Sequence, residues 1–144
     1  MNCADFYRLA PNRVWRTYLG GATLDAISGN TAPADSHFPE DWILSATRAV
    51  NAGRESVEEG VSRVVTESGE LLLTELVDRF PEEILGAAHL AKFGKRTGFL
   101  LKYLDSSIRL HLQCHPSIPF ARKYLHSECG KSEGYYILGV RPGC

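Results

Sequence analysis

Side chains that can bind a metal ion alternate with apolar ones in the stretch LHLQCHPSIPF, residues 110–120. His111, Gln113 and His115 are spaced two residues apart, so an extended chain projects them from one face. The Cβ atoms of Gln113 and His115 would then lie about 6 to 7 Å apart, close enough for both to reach one ion. An imidazole nitrogen and an amide oxygen suit zinc, manganese or iron better than calcium. A carboxylate should balance the charge of the ion, and Glu133 is the nearest candidate that begins a strand.

The same residues have plainer interpretations. A row of polar side chains on one face of an amphipathic strand is typical of a face that is solvated or hydrogen-bonded. Lys131 and Glu133, taken alone, would form a surface charge pair that adds little to stability. On the residues alone, a structural β domain without metal therefore stays open beside a metal site.

Two strands are predicted around these residues. Polar and apolar residues alternate from Ser107 to His115, and Pro116 keeps the residue before it extended. The segment EGYYILGV, residues 133–140, predicts a second strand. Residues 1–62 contain many glycines and prolines between short aromatic and β-branched segments, which predicts short strands and turns.

A helical insertion is predicted at about residues 68–93. Leucines recur at three- and four-residue spacing in ELLLTELVDRF, residues 70–80, as in an amphipathic helix. Pro81 opens a second helical segment that ends near Gly94, and Gly86 weakens this segment. Both helices are expected to serve packing.

The composition limits the classes of partner. The chain has 144 residues, enough for one domain, with a net charge of -1 and no cluster of Lys and Arg. Neither nucleic acid nor a membrane surface is therefore an expected partner. No apolar run approaches the roughly 18 to 20 residues that span a bilayer, and the N-terminus lacks the pattern of a signal peptide.

The cysteines favour a reducing compartment. They are widely scattered and form no C-x-x-C pair, so free thiols and a cytoplasmic location are expected, with one disulfide left open. The four are Cys3, Cys114, Cys129 and Cys144.

The end of the sequence suggests an incomplete domain. The predicted strand at 133–140 runs into the turn signal Arg141-Pro142-Gly143, and no further strand follows it. We therefore expect the chain to be a fragment, the N-terminal portion of a longer protein.

Several motifs resemble those of the type I mannose-6-phosphate isomerases, zinc-dependent members of the cupin superfamily. The more specific ones are Q-x-H-P at residues 113–116 and G-K-S-E at residues 130–133, set within LLKYLDSSIRLHLQCHPSIPFA and GKSEGYYIL. Upstream, RVWRTYLGGATLD resembles the family's early tryptophan and double-glycine segment. PEDWILSAT resembles its G-E-x-W-x-x-S segment, with Pro39 in the glycine position. The resemblance covers residues from about 13 to 138.

The resemblance assigns roles to individual residues. Gln113, His115 and Glu133 match three zinc ligands, and Lys131 matches a lysine that contacts substrate or transfers a proton. His111 stands where the family often carries a small hydroxyl residue near the substrate, so it becomes a substrate-binding candidate whose identity departs from the pattern.

The implied site also involves two upstream residues of this chain and two residues that lie further downstream in the family. Trp15 and Glu40 are further candidates for substrate binding. The fourth ligand, a histidine, and the arginine implicated in proton transfer lie further downstream in the family than these 144 residues reach. Weak or absent activity is therefore expected of this chain alone.

The resemblance implies a mainly β protein, with residues 1–144 forming the N-terminal part of a cupin-type jelly roll. The implied activity is the interconversion of mannose 6-phosphate and fructose 6-phosphate, with Zn²⁺ as cofactor and a small sugar phosphate as partner. The alternative is a non-catalytic module that binds a metal or a sugar phosphate. The sequence does not indicate an oligomeric state.

Overall fold

The computed structural model describes residues 6–142, which divide into two compact units, one up to Leu110 and one from His111. The described residues combine short strands with short helices. In chain order these are β1 (Arg13–Val14), α1 (Ala22–Ile27), β2 (Glu40–Ser45), β3 (Arg63–Thr66), β4 (Gly69–Leu72), α2 (Leu73–Arg79), α3 (Pro81–Leu85), α4 (Ala87–Phe93), β5 (Leu100–Leu104) and, in the second unit, α5 (Ile118–Tyr124).

The first unit contains two antiparallel sheets. One has the strand order β1-β2-β5, and the other is the hairpin β3-β4. The register of β2 against β5 shifts between Asp41 and Leu44. A bulge of this kind changes which residues face inward, so that Ser45 is buried where strict alternation from Trp42 would bury Leu44.

The hydrophobic core of this unit lies in two clusters. Helix α2 supplies Leu73, Leu76 and Val77 to the first cluster, where they pack on Val64 of β3. The three- and four-residue spacing predicted this buried face, and the prediction of a helix is confirmed. The second cluster is formed by residues from β1, β2 and the loop that follows: Val14, Trp42 and Ala49.

The predicted helices differ from the observed ones at two places. Leu71 and Leu72 were expected in the helix, but they belong to β4, because they pair with β3 across a tight turn. The segment after Pro81 forms two helices instead of one. Gly86 separates them with φ 80° and ψ 148°, a conformation that no α-helix can contain.

The two strands predicted near the metal motifs are not formed. Residues 107–115 and 133–140 contain no strand in the part of the chain that the structure describes. A strand is stabilised by the ladder it makes with a neighbour, and these segments have no such neighbour among the described residues. Helix accounts for 23% and strand for 19% of the described residues, so the fold is mixed, with antiparallel open sheets, and not mainly β.

Two other expectations concern the environment of the protein. Within residues 6–142, no helix has both the length and the apolar character that a membrane span requires. Cys114 and Cys129 are both exposed, and Cys114 is a free thiol, whereas Cys3 and Cys144 lie outside the described residues.

A buried ion-pair network joins the three-stranded sheet around Glu40, which is only 3% exposed. Its Oε1 accepts hydrogen bonds from the Tyr18 hydroxyl and from Lys102 Nζ at 3.2 Å. Its Oε2 accepts one from Trp42 Nε1 at 2.6 Å and lies 3.1 Å from Arg16 Nε. Both oxygens therefore have a hydrogen-bond donor and a cation.

These partners decide the protonation of Glu40. Burial by itself raises the pKa of the carboxyl, but the hydrogen bonds from Trp42 and Tyr18 and the charges of Lys102 and Arg16 outweigh it. The pKa of Glu40 is therefore below its ordinary value, and the folded protein holds the charged form.

Replacing Glu40 with Gln should destabilise the first unit by about 2 to 3 kcal/mol at pH 7. This is less than the ~3–5 kcal/mol of a fully buried pair, because the side chains of Arg16 and Lys102 are 19% and 20% exposed. The lowered pKa makes this stabilisation complete above the ordinary glutamate pKa of ~4.3, and it is lost as the pH falls through the lowered value. Urea unfolding at pH 7 and at acid pH measures both effects.

Glu58→Gln is the matched control, because its side chain is 74% exposed and pairs with Arg48 on the surface. It should change the unfolding free energy by no more than ~0.5 kcal/mol. Equal effects of the two substitutions at pH 7 would contradict a structural role for the buried pair.

Candidate metal centre

The second unit begins with the predicted ligand segment and then turns through a short helix. Ser117 caps α5, its Oγ accepting a hydrogen bond from the backbone N–H of Phe120. Pro119 lies in the first turn, where a backbone N–H has no acceptor within the helix, so its absence removes no helical hydrogen bond. After Tyr124 the chain reverses at His126, whose φ is 51°. The segment that follows the helix therefore returns towards the segment that precedes it.

A close backbone approach at Gly130 closes this loop. The N–H of Lys131 donates to the carbonyl oxygen of Pro116 at 2.9 Å. A Cβ atom at position 130 would lie 2.7 Å from that oxygen and 2.8 Å from the nitrogen of Ile118, which is closer than real Cβ contacts. Glycine is therefore required here, and the closure brings the G-K-S-E motif beside Q-x-H-P.

The carboxylate of Glu133 is the centre of the resulting site. Its Oε2 lies 2.9 Å from His115 Nε2 and 2.9 Å from Lys131 Nζ. Its Oε1 accepts a hydrogen bond from the Tyr135 hydroxyl at 2.7 Å. The Glu133 side chain is 13% exposed and that of His115 25%, whereas that of Lys131 is 53% exposed. The carboxylate is thus sheltered, and the ammonium group can reach a bound molecule.

The contact between His115 and Glu133 is close without being a hydrogen bond. Their two atoms are 2.9 Å apart, yet the buried His115 Nε2 makes no hydrogen bond within the described residues. Two donors held about 2.1 Å from one tetrahedral ion lie roughly 3.4 Å apart, so a separation about 0.5 Å wider than the observed one would let this pair hold an ion. A histidine nitrogen and a carboxylate oxygen that converge in this way fit two ligands of a zinc-type ion.

Gln113, the other predicted ligand, and the nearby His111 make no hydrogen bond to this cluster. Gln113 and His111 are exposed, and neither side chain forms a hydrogen bond to the described residues. Over residues 6–142, no group of three or more His, Cys, Asp and Glu side chains is arranged to hold a metal ion. The predicted roles of Gln113 as ligand and His111 as substrate contact therefore stay predictions.

Trp15 and Glu40, the upstream candidates, belong to the first unit and have packing partners there. The Trp15 ring stacks on His37 with centroids 5.3 Å apart, and the Arg54 guanidinium lies 5.3 Å from the Trp15 ring centroid. The carboxylate of Glu40 is engaged by its four partners. These contacts account for both residues structurally, and their predicted contacts with substrate stay predictions.

Sequence reasoning missed Tyr135, the hydrogen-bond donor to Glu133. The sequence predicts a strand over this segment, residues 133–140, and assigns Tyr135 no role. Residues two apart in an extended chain project to the same side, so a hydroxyl-bearing residue two positions after a ligand was a signal available in the sequence.

Comparison with known proteins leaves the site to be judged on its own geometry. The chain matches no protein-family model, and it matches no curated protein and no solved structure. The likeness to the type I isomerases therefore depends on the residue motifs, and the site depends on the contacts among His115, Lys131 and Glu133.

Gly130→Ala should open the loop that carries these contacts. The added methyl meets backbone atoms of Pro116 and Ile118, at a cost on the order of 1–3 kcal/mol. The N–H of Lys131, which donates to Pro116, should then exchange with D2O faster in an NMR measurement. Gly139→Ala is the control, because a Cβ at position 139 meets nothing within 4 Å. An unchanged Lys131 exchange rate in the Gly130 variant would show that the close approach is not needed.

Proposed function

We propose that this chain carries the zinc-binding portion of an aldose–ketose isomerase that interconverts mannose 6-phosphate and fructose 6-phosphate. The observation that carries the proposal is the convergence of His115 Nε2 and Lys131 Nζ on one oxygen of Glu133. These residues come from two separate motifs, and they are three of the residues to which the isomerase resemblance assigns a role in the site.

The donor atoms support zinc as the cofactor. His115 and Glu133 would hold the ion, and Gln113 is the third ligand that the resemblance implies. The negative charge of Glu133 offsets part of the ion's charge in a sheltered position. When bound, zinc supplies Lewis-acid polarisation of the sugar's oxygen atoms.

Lys131 is the candidate for the reacting end of the site. Its side chain is half exposed, so its ammonium group can contact a sugar hydroxyl or phosphate while it stays beside Glu133. The isomerisation removes the proton at C2 of the aldose and returns a proton to C1, through an enediol. We assign to Lys131 substrate contact or this proton transfer, and to His111 a further contact with the sugar phosphate.

A cupin-type jelly roll is the fold we propose for the complete domain. The segment GYYILGV, residues 134–140, has no charged residue. Four of its apolar side chains are exposed by 68% to 88%: Tyr136, Ile137, Leu138 and Val140. Uncharged, β-prone segments with such exposure are normally covered by a sheet partner. Pairing of this segment in a barrel would supply that partner.

The proposed partner is a small sugar phosphate, and the proposed location is the cytoplasm. A net charge of -1 gives no general attraction to nucleic acid. The free, exposed thiol of Cys114 suits a reducing compartment.

A non-catalytic module that binds a metal or a sugar phosphate is the second candidate. It is favoured by the small number of ligands that converge. Among the described residues, two metal-donor side chains meet, those of His115 and Glu133, and the Glu133 oxygen that faces His115 also pairs with Lys131. Such a site could bind an ion or an anion without completing the chemistry.

Glu133→Gln should weaken zinc binding by at least about tenfold, because it removes the ligand charge. Titration calorimetry of the full chain with Zn²⁺ measures this affinity. Glu128→Gln is the matched control, since Glu128 pairs with Arg122 on the surface of the same unit and should leave the affinity within about twofold. Absence of zinc binding by the unsubstituted chain would contradict the proposed site.

Exchange of the C2 proton separates the two candidate functions. In D2O, mannose 6-phosphate with the zinc-loaded chain should slowly gain deuterium at C2, and Glu133→Gln should abolish the gain. NMR detects this exchange even if net turnover by the isolated chain is weak. Zinc binding without any deuterium gain would favour the binding module over the isomerase.

A further inference from the structure

We propose that Tyr135 is a positioning residue that orients the Glu133 carboxylate for metal binding through one oxygen. The inference rests on the proposed metal site and adds a residue that neither the ligand motif nor the isomerase resemblance includes.

The two oxygens of Glu133 have different neighbours. Oε1 accepts a hydrogen bond from the Tyr135 hydroxyl at 2.7 Å, a distance typical of a strong hydroxyl–carboxylate bond. Oε2 faces His115 Nε2 and Lys131 Nζ, each at 2.9 Å. The phenol therefore engages the oxygen that is turned away from the histidine.

This division matters because a carboxylate has little orientational preference of its own. The terminal torsion of a glutamate side chain is broad, so an unrestrained group can rotate or present both oxygens to an ion. A hydrogen bond to Oε1 fixes the plane of the carboxylate and leaves Oε2 directed towards His115. Partners of this kind, placed behind a ligand, commonly contribute 10–100-fold to metal affinity.

The chemistry of the donor also suits the role. A tyrosine hydroxyl is neutral, so it holds the carboxylate without cancelling the negative charge that attracts a cation. A lysine or arginine at the same position would compete with the ion by charge, as Lys131 already does at Oε2. The short link between positions 133 and 135 keeps the hydroxyl close to its acceptor.

Tyr135→Phe in the full chain removes the hydroxyl and keeps the ring. Zinc affinity, measured by competition with a chromogenic chelator, should fall by about tenfold. With Co²⁺ in place of zinc, the visible absorption spectrum should change, because the carboxylate can then rotate or bind through both oxygens. Tyr136→Phe is the matched control: the neighbouring tyrosine is 88% exposed, and its substitution should leave affinity and spectrum unchanged.

A double-mutant cycle tests whether Tyr135 acts through Glu133. Once Glu133→Gln has removed the ligand charge, adding Tyr135→Phe should cause no further loss of affinity. A general loss of folding would instead weaken binding in both backgrounds, and would overturn the positioning role.

The possible failures are distinct. If the unsubstituted chain binds no zinc, the proposed function and this inference are both refuted. If zinc binds and Glu133→Gln weakens it, while Tyr135→Phe behaves like Tyr136→Phe, the metal site stands and the role of Tyr135 is refuted.

Discussion

One carboxylate, that of Glu133, organises the candidate site. An imidazole and an ammonium group approach one of its oxygens, and a phenol holds the other. These groups meet only because the chain closes a loop between Pro116 and Lys131, at a point where no side chain larger than hydrogen fits. The glycine of G-K-S-E therefore closes the loop, and in the site we propose the lysine would contact a bound molecule and the glutamate would attract a cation.

Two sheltered glutamates, Glu40 and Glu133, show how structure and function differ at the same kind of residue. Glu40 is matched by donors on both oxygens, and its charge is balanced by Arg16 and Lys102. Nothing in that arrangement requires a further ligand. At Glu133, one close neighbour is a buried imidazole nitrogen that makes no hydrogen bond to it. An ion held by both groups would give the imidazole nitrogen a partner, which is why we assign the chemistry to Glu133.

Features set by neighbouring residues could be predicted from the sequence, and features set by distant pairing could not. The apolar spacing of α2 predicted its buried face, and Gly86 explains the helix break. Leu71 and Leu72 lie in the hairpin of β3 and β4 and not in the predicted helix, because cross-strand pairing outweighed their helical spacing. The same dependence on a partner explains why residues 107–115 and 133–140 are not strands. At the site, the motifs predicted that His115 and Glu133 would meet, whereas the spacing alone did not identify the loop closure or Tyr135.

The closure at Gly130 also bears on how this region can change during evolution. The backbone N–H of Lys131 donates a hydrogen bond to the carbonyl oxygen of Pro116. Because this bond joins the two ends of the loop, the distance between His115 and Glu133 does not depend on how many residues lie between Pro116 and Lys131. Each doubling of such a loop costs only about 0.6 kcal/mol in closure entropy. Insertions after α5, around residues 125–128, would therefore be tolerated without moving His115 or Glu133. Homologous chains could differ widely in length here while keeping both ends of the loop unchanged.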